Sequence, residues 1–315
     1  MQRVEDAGKW CLFDPSVASG LIFRYGGEFE DLYRKLENDH KIPRKTMEAR
    51  SLWTTILKCQ IETGFPFISF KDSINRAYMY RLVPLKSLNL CFQYIGKSNQ
   101  RNLGAITHSN SYGILQPSSA SETGVCSTAS LVLPAFVSVS GGFDFVRLRE
   151  VVRAVVKNLD RVIQITRVMD RQSWESNHAH RTIGVGFQGL SDTFTKLGIA
   201  FDSDIAKDLN IKVAQSIYFA ALEASIELAA VDGYYSSFPS SPTASCMLQF
   251  DLWGEPQPDG LDWDLLKRKL RSCGLANSQL VALTPTYLTS LLTGCSESFH
   301  PHFRCVRIWF VIPTF

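Results

Sequence analysis

Apolar positions recur with helical spacing in several stretches of this chain. Ala49, Leu52, Trp53, Ile56, Leu57 and Ile61 fall at i, i+3, i+4, i+7, i+8 and i+12, which predicts one amphipathic helix ending at Thr63-Gly64. Phe29, Leu32 and Tyr33 predict a shorter one over Glu28 to Lys35. A long helix is expected around Val151, Val155, Leu159, Val162 and Ile163, after the break at Gly141-Gly142. Another spans Ser203 to Val231, with Leu209, Val213, Ile217, Ala220, Ala221, Ala224 and Leu228 on one face and Asp202-Ser203 as its cap. Trp263 to Ser272 is a further helical stretch, closed by Gly274.

Shorter apolar runs predict strands between these helices. They are Phe65 to Phe70, Ile106 to Ile114, Val125 to Val137, Ile183 to Leu190, and Leu280 to Leu283. Residues 1–27 show no period and read as loop and short turns, and Gly233 to Ser245 reads as a Pro/Ser-rich loop. Strands alternating with helices predict a mixed α/β architecture.

With 315 residues and 45% hydrophobic content the chain can bury a sizeable core. Its net charge of +3 comes with no Lys/Arg run, so no nucleic-acid footprint is indicated. No apolar stretch is long enough to span a bilayer, and the first residues lead into no signal-peptide core. Eight cysteines are scattered without CxxC or zinc-like spacing, which suits reduced thiols and a cytoplasmic location. The cluster His178, His180 and Arg181 lacks spaced carboxylate or cysteine companions and reads as structural rather than as a metal site.

The run Ile183-Gly184-Val185-Gly186-Phe187-Gln188-Gly189-Leu190 holds three glycines where backbone must approach a neighbour closely or take positive φ. By itself it reads as a tight packing site. With Ala179-His180-Arg181-Thr182 before it, the segment resembles "RHRPIGIGVQGL" of the large, catalytic subunit of class I ribonucleotide reductase. The resemblance runs from about Glu28 to about Phe303, with Asp192, Phe194, Ala221, Glu223, Ala224, Ser225, Ser241 and Pro242 among the matched residues. It breaks at Arg76 and resumes at Lys97-Ser98-Asn99-Gln100-Arg101-Asn102-Leu103-Gly104. The apolar stretch between, residues 77–96, is either a gene-model error such as a translated intron or a genuine inserted loop. Residues 304–315 are also off the family pattern.

The resemblance implies the C-terminal half of the family's ten-stranded α/β barrel. A half barrel exposes strand edges, so the chain is expected to be marginal alone or to need a partner. The family reduces ribonucleoside diphosphates to deoxyribonucleotides with a thiyl cysteine, an asparagine, a glutamate and a reducing cysteine pair. Its finger loop "SNLCTEI" matches Ser109-Asn110-Ser111-Tyr112-Gly113-Ile114-Leu115. Asn110 is retained, Tyr112 stands at the thiyl cysteine and Ile114 at the glutamate. A phenol differs from a thiol in radical potential and reach, and isoleucine moves no proton. Cys126 matches one reducing cysteine, although a lone cysteine on a strand is more often a small core residue than a redox group.

The family phosphate loop "PMPTASTAQ" matches Leu283 to Leu291, with Pro285, Thr286 and Thr289 kept while Tyr287 and Leu288 replace a small residue and a hydroxyl. Ser109, Pro285, Thr286 and Thr289 are therefore the expected substrate contacts, and Asn110 and Cys126 the retained catalytic matches. Beyond them, Gly294, Glu297, Ser298 and Pro301 follow "GNNESIEP". The resulting expectation is a large-subunit-like pseudoenzyme that is catalytically inactive. The alternatives are a working reductase subunit, or a nucleotide-binding regulator in complex with a complete paralogue. The resemblance implies no cofactor in this chain, ATP and dNTP effectors in the family, and a radical-generating small subunit or a complete large subunit as partner.

Overall fold

The computed structural model describes residues 1–64, 66, 68, 72, 123–139, 141–167, 170–283 and 285–301. The expected strand at residues 65–70 is described only at 66 and 68, and the expected strand at 106–114, the finger loop, the stretch 77–96 and the tail 304–315 lie outside the described residues.

The elements of residues 1–64 are α1 (Gln2–Glu5), β1 (Lys9–Phe13), α2 (Gly20–Phe23), α3 (Gly27–Asn38), β2 (Arg44–Glu48) and α4 (Ala49–Thr63). β1 and β2 pair antiparallel, Lys9 facing Glu48 and Phe13 facing Arg44. Where sequence predicts only loop and turns, residues 9–13 thus form a strand. Its five residues are too few for a period to show, and its partner lies more than 30 residues on. Tyr33 of α3 is buried; its hydroxyl accepts from Cys11 N (2.8 Å) and donates to Cys11 O (3.0 Å), tying helix to strand. The Arg3 guanidinium lies over the Trp10 and Tyr33 rings and pairs with both Glu37 oxygens at 2.6 and 2.8 Å. That pairing holds the Glu37 carboxyl below its ordinary range despite partial burial. α4 forms where its periodicity places it and stops at Gly64 in the left-handed region (φ 77°). Of its residues only Ala49 is buried, and Ile61 is 86% exposed.

The second group contains β3 (Ser127–Val132), α5 (Phe145–Ile165), α6 (Arg171–His180), β4 (Ile183–Gln188), α7 (Leu190–Lys196), α8 (Asp204–Asp232), α9 (Gln249–Trp253), α10 (Trp263–Cys273) and α11 (Tyr287–Thr293). β3 and β4 are parallel, with Ser127 facing Ile183 and Val132 facing Gln188. The run around Val281 adds a single parallel bridge to Val185 rather than the four-residue strand expected. β3 is also shorter than expected, because Pro134 carries no N–H for a ladder and a 3₁₀ turn takes over at Leu133–Phe136. All six residues of β4 are buried, as a parallel strand covered on both faces requires.

α5 packs against β3 and β4, and α8 packs against α5 and α10. α5 buries Leu148, Val152, Val156, Leu159 and Ile163, while Val162 is 40% exposed and Val151 and Val155 are only half-buried. The buried stripe is therefore turned slightly from the expected one, since a valine-rich helix offers two adjacent stripes of similar apolarity. α8 begins where the cap signal puts it, Ser203 Oγ accepting from Ala206 N at 3.2 Å. It buries Val213, Ile217, Ala220, Ala221 and Ala224 as expected, and Ala214, Leu222 and Ile226 on other sides as well. Small side chains let this helix sit deep in the core. Asp144, Asp170 and Asp262 cap α5, α6 and α10 in the same manner.

Candidate functional site

Ligands of parallel α/β proteins gather beyond the carboxyl ends of the strands. At that end β4 terminates in Gln188, and Gly189 follows at φ 79°. A methyl group on Gly189 would lie 2.6 Å from Pro134 Cδ, so the backbones after β3 and β4 close together there. The other two glycines serve the opposite flank of the strand. A methyl on Gly186 would lie 2.5 Å from the Ala282 carbonyl oxygen, and one on Gly184 would lie 2.9 Å from Ala282 Cβ. All three glycines are thus close-packing positions, with positive φ at Gly189 only.

The 281 run continues past this end into Pro285, Thr286 and the first turn of α11. Pro285 is exposed and Thr286 is buried. Thr286 Oγ1 accepts the backbone N–H of Ser298 at 2.8 Å. Thr289 donates its hydroxyl to Gln188 Oε1 at 2.7 Å and lies 3.1 Å from the Thr286 carbonyl. Gln188, itself 1% exposed, returns its Nε2 to Thr293 Oγ1 at 2.7 Å and approaches Cys295 Sγ at 3.5 Å. The loop after α11 is fastened to α7: Gly189 N donates to Ser296 O at 2.8 Å, and Ser296 N to Asp192 Oδ2 at 2.5 Å. Ser298 takes φ 47°, a strained value for a residue with a side chain. The matched hydroxyls of Thr286 and Thr289 are thereby both engaged within the protein.

Of the remaining expected residues, Ser109, Asn110, Tyr112 and Ile114 lie outside the described residues. Cys126 is half-buried and precedes β3, with its sulfur 3.5 Å from where a Gly184 methyl would be. Five residues of strand separate Gly184 from Gly189, roughly 16 Å at ordinary strand rise. Cys126 therefore sits at the amino end of the strands and is not brought together with Thr286 and Thr289.

The basic cluster at the same amino end is built into the fold. His180 Nδ1 meets Ser237 Oγ at 3.1 Å, while His178 stacks on Trp174. Arg181 ends α6 in the left-handed region at φ 47° and grips Asp160 of α5 through two bonds, at 3.0 and 2.5 Å. Asp160 also accepts from Asn277 Nδ2 at 2.9 Å, and Asn277 Oδ1 accepts from Ser225 Oγ at 2.9 Å. Among the described residues no group of three His, Cys, Asp or Glu is placed to hold a metal ion. The anchoring roles of Gln188, Asp160 and Asn277 escape sequence reasoning, and Asp192 shows there only as a family match. The one available signal was a polar Gln188 closing an otherwise apolar strand.

The fold and this loop arrangement define a mixed α/β protein whose candidate site lies past the carboxyl ends of the parallel pair β3 and β4. The chain matches the family model for the ribonucleotide reductase barrel domain over residues 1–308. It is 41% identical to the ribonucleoside-diphosphate reductase large chain of Neurospora crassa over 304 residues, covering 96% of this chain and 30% of that protein. It is 40% identical over 303 residues to the large subunit of Caenorhabditis elegans, and 41% identical over 303 to that of Variola virus, covering 96% of this chain and 36% of each relative. The chain belongs to the ribonucleotide reductase large-subunit family and carries its barrel domain. It spans about a third of the length of the curated relatives it matches.

Proposed function

We propose that this chain is a ribonucleotide reductase large-subunit-type barrel segment without independent catalysis, acting through contact with a complete large subunit or with a small subunit. The observation that carries the reading is in the sequence. Tyr112 and Ile114 occupy the positions of the family's thiyl cysteine and proton-handling glutamate, in a segment that keeps Ser109 and Asn110. No neighbouring Cys-x-Glu can stand in for them, because the chain's one such triplet, Cys295-Ser296-Glu297, belongs to a different family segment. The described geometry supports the same reading at the phosphate loop, where the kept hydroxyls of Thr286 and Thr289 bond to Ser298 and Gln188.

Retention of Asn110, Cys126, Pro285, Thr286 and Thr289 favours one second reading, a nucleotide-binding regulator within a complex. In either case cytosolic residence belongs to the proposal, in keeping with the six described cysteines, none of which is in a disulfide. No helix of the described residues is long and apolar enough to cross a membrane.

The test is a product assay. The purified chain is mixed with the radical-bearing small subunit of a relative, a ribonucleoside diphosphate and a dithiol, and deoxyribonucleotide is quantified. No product above the small-subunit blank is expected. Turnover by the unaltered chain would overturn the proposal.

A further inference from the structure

α11 sits on the strand ends in an unusual way for a helix of a packed barrel. Its one buried residue is Ser290. The large apolar side chains point outward, with Leu288 71%, Leu292 87% and Leu291 41% exposed. Hydrophobic burial, the usual anchor of a helix, therefore contributes little to holding it.

Two side chains of α11, Thr289 and Thr293, bond to one residue of β4. Gln188 accepts from Thr289 and donates to Thr293, one helical turn apart, so a single buried amide spans the face of α11 turned to β4. A third bond, Ser298 N to Thr286 Oγ1, fixes the start of the helix to the loop that follows it. Gly294, at φ 66° and with no atom within 4 Å of where a Cβ would stand, ends the helix. Thr289 and Thr293 are both exposed, so their hydroxyls can exchange Gln188 for water at small cost.

We infer that α11 is a strap over the carboxyl end of β4, latched by Gln188 and able to open while the core stays folded. A helix anchored by a few hydrogen bonds rather than by burial belongs to the low end of local stability. Opening releases the Thr289 hydroxyl from its internal acceptor and uncovers the end of β4. The latch is thus a gate on the segment matching the family's phosphate loop, whether or not a nucleotide binds there.

Hydrogen exchange of the full chain, read by mass spectrometry on peptides covering 287–293 and 213–226, tests this. In the unaltered protein the α11 amides are expected to exchange well before those of α8. Gln188→Leu removes both arms of the latch, and Thr289→Val removes one arm at an exposed position without touching the strand. Each is expected to speed exchange in α11, Gln188→Leu by about tenfold or more, while α8 is unchanged. The strap is refuted if α11 in the unaltered chain is as protected as α8. It is equally refuted if Thr289→Val leaves α11 unchanged, or if both variants raise exchange throughout the molecule alike.

Discussion

Two buried contacts at the level of single residues bear the strongest consequences. Asp160 has 2% side-chain exposure and is neutralised by Arg181, with Asn277 bridging both. Arg181→Met would leave a buried carboxylate without its cation, at a cost of about 3–5 kcal/mol. Urea unfolding should show that drop, and a change under 1 kcal/mol, roughly the value of an exposed pair, would show the network to be peripheral. Gly186→Ala forces a methyl against the Ala282 carbonyl, which is backbone and yields little. A loss of about 1–3 kcal/mol is expected from such overpacking. The close packing of the three glycines was legible in the sequence, because glycine in an apolar strand signals close approach. Asp160 was not legible. Apart from Gln164 one turn on, its partners Arg181 and Asn277 lie 21 and 117 positions away, and nothing local marks an aspartate inside a helix as buried.

At the scale of elements, capping and periodicity read true where the signal was local. Ser203 begins α8 as its cap position implies, and Ser203→Ala should cost about 1 kcal/mol in the same urea experiment. An unchanged midpoint would mean that the first turn of α8 frays in the native state. Period alone did less well for α5, where Val162 faces outward although it continues an apolar stripe. β1 was missed for a related reason: a five-residue strand is specified by its partner β2, not by its own pattern. The Pro134 stop of β3, by contrast, is written in the chain, but it was outweighed by the apolar run around it.

For the whole molecule, acid response and ligand chemistry are the readable properties. Glu37 has its pKa lowered chiefly by the Arg3 hydrogen bond. A depressed carboxylate stabilises the fold fully above its unfolded value, about 4.3, and that contribution is lost as pH falls through the lower folded value. Glu37→Gln should therefore flatten the stability of residues 1–64 across that acid window, with an effect below about 1 kcal/mol because the pair is partly exposed. A pH profile unchanged by the substitution would remove Glu37 from the acid response. The family and its barrel were legible because Ile183 to Leu190 and its neighbours keep their wording. The inward bonding of Thr286 and Thr289 was not, since a matched threonine shows its residue type in sequence and its hydrogen-bond partner only in space.

The proposed function holds that the ligand chemistry of the family has been given up here, at the finger loop by substitution and at the phosphate loop by internal bonding. Calorimetric titration of the folded chain with a ribonucleoside diphosphate tests it most directly, with circular dichroism confirming the fold. The account predicts no saturable heat through the micromolar range. Saturable micromolar binding that is abolished by Thr286→Val would contradict it, and would make this chain a nucleotide-binding member of its family.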